Sequence, residues 1–134
     1  MPNVVTNPVH HTTDQDVAIY HAQPHGNCDP MGTRVLPTHF VDVSQWIDRK
    51  RELLAAHASQ NQWLEATQRI SAYLDTMVQL NHEVGQMSSR AAPLRQGLHY
   101  EYAEGWRQQL HLGFSQAGFD PLFEALQDCM IKAS

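Results

Sequence analysis

The sequence predicts a mixed α/β fold in which one or two short strands are followed by three mainly amphipathic helices. Five of the seven prolines lie within the first 40 residues, where apolar residues show no helical period. Short clusters of β-branched and aromatic residues interrupt this segment, as is typical of strands. From residue 44 onward, apolar residues recur every three or four positions, which favours helices with one apolar face.

The first strand is predicted at 17–22 (VAIYHA), and Pro24-His25-Gly26 ends it. A second short strand is predicted at 39–41, and the intervening residues 24–32 are dense in turn formers, so we expect a loop there. Two short strands do not form a stable sheet by themselves. We therefore expect residues 1–134 to be a single partial domain, with a strand and loop segment at 1–43 and a helical segment at 44–134.

The first helix is predicted to begin at Ser44, whose side chain suits an N-cap, and to end near Ser59-Gln60. Its apolar stripe contains Trp46, Leu53 and Leu54, together with Lys50 and His57.

The second helix is predicted from Trp63 to Val84, with Gly85 as the residue that ends it. Residues 98–110 are ambiguous between a loop and a short helix. Asp120-Pro121 supplies an N-cap and a first-turn proline for a C-terminal helix. The buried face of that helix is predicted to contain Leu122, Phe123, Leu126 and Met130.

Composition excludes several classes of function. The chain has 134 residues, 42% of them hydrophobic, and a formal net charge of -5, which argues against nonspecific binding to nucleic acid or anionic lipid. A run of about 18 apolar residues, which a membrane span requires, does not occur. The first residues lack the pattern of a secretory signal. Two distant cysteines fit a reducing compartment, so we expect a cytoplasmic protein.

Nine histidines raise the question of a metal site, but their spacing does not match one. Neither His-Glu-x-x-His nor Cys-x-x-Cys occurs, and Pro24 and Gly26 exclude a helix that would align His21 with His25. Cys28 lies near His25, but no third group is in place to orient a nucleophile. The histidines are therefore interpreted as surface or core side chains.

Three places carry candidate binding residues. Gln23, His25 and Asn27 follow the first strand, where ligands bind in open α/β sheets; a hydrogen-bonded turn is the alternative. On the first helix, Lys50 and His57 lie one heptad apart, with Gln60 close behind, and the alternative is a lysine that reaches solvent beside a core histidine. Glu104 lies among aromatic residues in 100–107, which suits a sugar ligand or an internal pair with an arginine.

These places occur in an order that resembles the C-terminal part of the LmbE-like family, the PIG-L type of zinc-dependent de-N-acetylases. The resemblance covers roughly residues 17–126. Its motifs are YHAQPHGN at 20–27, VDVSQWIDRKRELLAAHASQNQWL at 41–64 and YAEGWR at 102–107. The second motif is similar to the family's pattern of a strand end, a lysine and a helix end of the form His-x-Ser-Gln.

The resemblance implies a Rossmann-like α/β fold and hydrolysis of an N-acetyl group on a sugar or amino-sugar conjugate. In the family, zinc polarises the amide carbonyl and activates water. The family's Ala-His-Pro-Asp-Asp and His-Pro-Asp-His motifs, which supply the zinc ligands, the base and the oxyanion histidine, do not occur in this sequence. We therefore expect zinc in the complete family enzyme and none on this chain alone.

The leading hypothesis is a C-terminal segment that contributes fold and the substrate side of a pocket, completed by an N-terminal half. The alternative is a noncatalytic helical interaction module, or a degenerate remnant, that acts through a partner chain or through self-association. In that case the stripe from Trp63 to Val84 would be the partner surface.

Overall fold

The computed structural model of the protein describes residues 16–68, 72–91, 99–111 and 118–133. Within these ranges the chain forms four strands: β1 (Tyr20–Ala22), β2 (His39–Asp42), β3 (Ala103–Gln108) and β4 (Met130–Lys132). The helices in the same ranges are α1 (Ile47–Ala55), α2 (Ala58–Gln68), α3 (Tyr73–Ala91) and α4 (Pro121–Leu126). The predicted mixed α/β class is confirmed. None of the described helices is long and apolar enough to cross a membrane.

The strands form one sheet in the order β1-β3-β2-β4. Every pairing between them is antiparallel, with Ala22 opposite Trp106 and Phe40 opposite Gly105. β3 is therefore a central strand that pairs on both sides. A Rossmann-like sheet is built from parallel strands, and none of the described pairings is parallel, so the Rossmann-like part of the prediction is unconfirmed.

Helix α3 lies on the sheet and supplies much of the core. Val84 and Met87 from α3 pack with Phe40, Ala103 and Ile131 from three strands. Burial of these side chains is the main favourable contribution to folding.

The sequence predicts that Gly85 ends a helix, and that prediction is wrong. Helix α3 continues to Ala91, and Gly85 is buried in its middle. A Cβ at this position would overlap the carbonyl oxygen of Tyr100 and lie 2.7 Å from that of Glu101. Glycine is therefore required for close approach of two backbones, not for a helix end.

The helix boundaries at 44–84 also differ from the prediction. Helix α1 ends at Ala55 and α2 begins at Ala58, so Ser59-Gln60 lie inside the second helix. The stripe from Trp63 to Val84 is divided between α2 and α3. Residues 69–71 between these two helices lie outside the described ranges.

Ser44 is not the N-cap of α1, which has Trp46 at that position without a side-chain cap. The Ser44 hydroxyl instead lies 2.6 Å from Asp42 Oδ1 and accepts the backbone N–H of Tyr102 at 3.2 Å. It ties the end of β2 to the residue before β3.

For the C-terminal helix, the predicted N-cap is confirmed, but the predicted extent is wrong. Asp120 accepts the backbone N–H of Phe123 at 3.2 Å and caps α4, as predicted. The helix ends at Leu126, and Met130, predicted on its buried face, lies instead in β4 with 1% exposure. Met130 is buried as expected, but by the sheet.

Strand β3 replaces the loop or short helix considered for residues 98–110; residue 98 lies outside the described ranges. Its sequence AEGWRQ turns Ala103 and Gly105 inward, with Glu104, Trp106 and Arg107 less buried. Inward positions occupied by such small residues give weak apolar alternation, so the pattern did not indicate a strand.

Candidate functional site

One cavity of about 600 Å³ lies between the loop after β1, helices α1 and α3, and strand β3. All three places selected in the sequence contribute to it. Six of the seven predicted residues line its wall: Gln23, His25, Asn27, Lys50, His57 and Glu104. The seventh, Gln60, belongs to α2, and its side chain is outside the described residues. The volume falls within the range of small-molecule sites.

Strand pairing explains how distant segments meet at this cavity. Ala22 at the end of β1 lies opposite Trp106 of β3. The backbone N–H of Gln23 then donates to the Gly105 carbonyl at 2.9 Å. The loop that carries His25 therefore begins directly beside the strand that carries Glu104.

An ion pair crosses the cavity wall. Lys50 Nζ donates to Glu104 Oε1 at 2.6 Å and to Asn81 Oδ1 at 3.0 Å, so α1, β3 and α3 each contribute one group. The Lys50 and Glu104 side chains are 33% and 35% exposed, which leaves both within reach of a ligand. One alternative predicted for Glu104 was an internal ion pair with an arginine. Glu104 does form an internal ion pair, but its partner is Lys50.

Asn81 also lines the cavity. Its position belongs to the stripe from Trp63 to Val84, which the sequence predicts to be an apolar helix face. Its residue is 7% exposed, and its Nδ2 donates to the Met77 carbonyl at 2.8 Å. That bond turns Oδ1 toward Lys50. The available signal was a polar residue at a position that the helical period predicts to be buried.

Hydrogen bonds connect the loop after β1 to neighbouring segments. Gln23 Nε2 donates to the Val35 carbonyl at 2.6 Å, and Val35 N–H donates to the Asn27 carbonyl at 2.9 Å. Asn27 is 2% exposed, has a φ of 56°, and donates from Nδ2 to Glu83 Oε2 at 3.0 Å. Asparagine tolerates this left-handed conformation better than most residues. The segment is therefore both a hydrogen-bonded turn and a cavity wall.

Gln23 also provides an unused acceptor. Its Oε1 atom is buried and has no hydrogen-bond partner among the described residues. A buried acceptor without a partner is costly unless a ligand or water supplies a donor. This atom belongs to a residue that lines the cavity.

His25 and His57 are exposed and contribute rings to the cavity from separate segments. His57 follows α1 and precedes α2, where its N–H donates to the Leu54 carbonyl at 3.1 Å. The alternative of a core histidine is therefore wrong for His57. Imidazole rings at these positions are available to hydrogen-bond a polar ligand.

A second polar cluster lies outside the cavity, around the buried carboxylate of Asp120. It receives hydrogen bonds from Tyr20 OH at 2.7 Å and from Lys132 Nζ, and its Oδ2 lies 2.8 Å from His39 Nε2. Burial raises the pKa of Asp120, but these hydrogen bonds and that of Phe123 outweigh it, and the pKa lies well below its ordinary value. Burial, and then the bond to Asp120, raise the pKa of Tyr20 to about 12. The cluster joins β1, β2 and β4 to α4.

Only the capping role of Asp120 was predicted from sequence. Its other partners lie as far as 100 positions away, and no local pattern indicates such contacts.

Zinc, which the resemblance implies for the complete enzyme, does not fit the described residues. In the ranges from 16 to 133 that the structure describes, no three His, Cys, Asp or Glu side chains gather closely enough to hold a metal ion. Cys28 and Cys129 are both free thiols.

Comparison with known proteins adds no relative: no family model matches the chain, and neither a curated protein nor a solved structure matches it. The interpretation of the cavity therefore rests on its own residues.

Proposed function

We propose that the cavity binds the amino-sugar part of an N-acetylated conjugate and that this chain forms the substrate side of a zinc-dependent de-N-acetylase. The zinc ligands and the catalytic base are assigned to an N-terminal half that completes the site. The observation that carries the proposal is the convergence of Gln23, His25, Asn27, Lys50, His57 and Glu104 on one cavity.

The polar groups suit a sugar because they offer donors and acceptors close together. Glu104 accepts hydroxyl hydrogen bonds and Lys50 donates, and both side chains are about one-third exposed in the cavity wall. The rest of the wall includes apolar side chains such as Leu54 and Trp106, which suit the C–H faces of a sugar ring.

The test is calorimetric titration of the full chain with methyl N-acetyl-β-glucosaminide, with methyl glucoside as the comparison ligand. We expect saturable binding that is at least tenfold tighter for the N-acetylated sugar, because the amide adds a donor and an acceptor. His25→Ala and Glu104→Gln are expected to weaken binding at least tenfold.

His21→Ala is the matched control. His21 is also exposed, but its ring lies 2.7 Å from Gln109 Oε1 and is not part of the cavity wall. Equal affinity for the two sugars, equal loss in His21→Ala and His25→Ala, or no saturable binding to the wild-type chain would each contradict the proposal.

One observation favours the alternative of an interaction module. Trp46 and Leu53 are 65% and 58% exposed, and Leu53 also lines the first cavity. The stripe from Trp63 to Val84 is less suitable as a partner surface, since Asn81 and Val84 are buried against the rest of the chain.

Molar mass by light scattering distinguishes the two functions. A stable dimer that Trp46→Ser converts to monomer, together with no sugar binding, would favour the interaction module. A monomer that binds the N-acetylated sugar would favour the substrate-side function.

A further inference from the structure

A second cavity lies beside the C-terminal half of α3. It encloses about 900 Å³ and is bounded by residues 34–37, by α3 from Glu83 to Ala91, and by Phe40 and Ala133. Among the residues that the structure describes, it shares no lining residue with the cavity that contains Glu104. It is therefore a separate site, independent of the proposed function.

Part of the wall of this cavity is apolar. Pro37, Phe40 and Met87 form much of its wall and belong to the buried part of the molecule. Leu36 also lines it and is 65% exposed, an unusual exposure for a large apolar side chain within a concave surface. A ligand with an apolar body would remove this surface from water.

The charge of the cavity is opposite to that of the chain. Of the described lining residues, two are arginines, Arg34 and Arg90, and one is an acid, Glu83, whereas the whole chain carries a formal charge of -5. Arg90 has no hydrogen-bond or ion-pair partner among the described residues. A guanidinium beside an apolar wall matches a carboxylate or phosphate that is attached to an apolar group.

The carboxylate of Glu83 already has partners within the chain. Glu83 Oε2 accepts from Asn27 Nδ2 at 3.0 Å and lies 3.7 Å from Arg34 Nη2. That distance makes a weak pair, and the Arg34 side chain is 54% exposed. Arg34 therefore keeps donors available for an anion.

We propose that this second cavity binds a soluble amphipathic anion, an organic molecule that joins a carboxylate or phosphate head to an alkyl body. The head would lie between Arg34 and Arg90, and the alkyl body against Leu36, Pro37 and Met87. A dissolved molecule fits better than a membrane surface, because the site is concave and the net negative charge of the chain opposes approach to anionic lipid.

The experiment titrates the full chain with octyl phosphate, octanoate and octanol, each below its aggregation limit, and follows binding by calorimetry. We expect saturable binding of one or both anions, at least tenfold tighter than binding of octanol. Tight octyl phosphate with weak octanoate would identify a phosphate ligand, and the reverse would identify a carboxylate. Octanol binding as tight as that of both anions would overturn the proposal.

Arg90→Gln and Arg34→Gln are each expected to raise the dissociation constant of the preferred anion at least tenfold. Both arginines are exposed, so neither replacement is expected to unfold the chain. Arg49→Gln is the control, since Arg49 is 64% exposed, pairs with Glu52 at 2.8 Å and lies on α1. Equal affinities in all three variants would overturn the proposal.

Vesicles that contain phosphatidylglycerol provide the remaining arm. Sedimentation of the chain with these vesicles, combined with no binding of dissolved octyl phosphate or octanoate, would assign the arginines to a membrane surface and overturn the proposal.

Discussion

The backbone of Gly85 in α3 lies directly against the backbone carbonyl of Tyr100, which precedes the central strand β3. A Cβ on Gly85 would overlap that oxygen and stand 2.7 Å from the Glu101 carbonyl oxygen. Both neighbours are main-chain atoms, so they do not move aside as a side chain does. The spacing between α3 and the segment that leads into β3 therefore depends on the absence of one methyl group.

Gly85→Ala is expected to lower the free energy of unfolding by about 1–3 kcal/mol, because the added methyl group forces the two backbones apart. Urea denaturation followed by circular dichroism measures the change. Gly118→Ala is the control, since a Cβ there meets no atom of the described residues within 4 Å. The same loss in both variants would show that the close approach is not the cause.

Asp120→Asn is expected to lower the free energy of unfolding by about 2 kcal/mol, because the buried carboxylate loses the charge that strengthens its hydrogen bonds from Tyr20 and Lys132. Asparagine is an equally good N-cap, so the start of α4 is preserved and the loss is specific to the charge. Asp75→Asn is the comparison: Asp75 is 67% exposed where it pairs with Arg51, and its replacement is expected to change stability little. Equal losses in the two variants would contradict this role of Asp120.

Acid stability provides a separate prediction for the same carboxylate. The pKa of Asp120 is lowered in the folded chain, so its contribution to stability is complete above its unfolded value of about 4 and is lost as the pH falls through the lower folded value. The difference in unfolding free energy between wild type and Asp120→Asn is therefore expected to shrink steadily below about pH 4. A difference that is constant with pH would show that this carboxyl group has the same pKa in both states.

The contribution of Tyr20 to stability is lost as the pH rises, in contrast to that of Asp120, which is lost as the pH falls. Its pKa is raised to about 12 in the folded chain, so its contribution is present below its ordinary value of about 10 and is lost as the pH rises through about 12. Absorbance titration at the tyrosinate band is expected to show a late phase that Tyr20→Phe removes. Loss of an early phase near pH 10 instead would contradict the raised pKa.

Lys50→Met is expected to change the free energy of unfolding by less than about 1 kcal/mol, because a pair that is one-third exposed is partly screened by water. The methionine keeps the apolar part of the lysine side chain. Thermal melting of the variant beside wild type measures the change. A loss as large as that of Asp120→Asn would mean that the pair is mainly structural and that ligand data on Lys50 report on folding.

Local signals predicted the parts of the fold that depend on neighbouring residues. The second strand and the Asp120 cap were recognised because the adjacent strand formers Phe40 and Val41, and a capping side chain before a proline, indicate each within a few positions. Strand β3 was missed because its inward positions hold Ala103 and Gly105, which carry almost no hydrophobic signal. Strand β4 was missed because Met130 continues the helical spacing of Leu122 and Leu126.

Six of the residues selected from the sequence line one cavity, whereas two strands of the sheet beside it were missed. Polar residues such as His25, Lys50 and Glu104 were conspicuous in their local contexts, although their distances from one another are set by pairings that no local pattern reveals. Asn81 and the Asp120 cluster show the limit of sequence reasoning. Their partners are far away in sequence, so a buried polar residue among apolar ones was the only available indication.

Because β3 lies between two strands, the part of the cavity wall that it forms differs in local stability from the parts that loops form. Amide hydrogens of a central strand exchange with solvent only through large-scale unfolding, whereas those of loops exchange through small local openings. We therefore expect the wall that carries Glu104 to exchange slowly and the segments around His25 and His57 to exchange fast. A molecule that enters this cavity would meet a fixed carboxylate on one side and segments that open locally on the other.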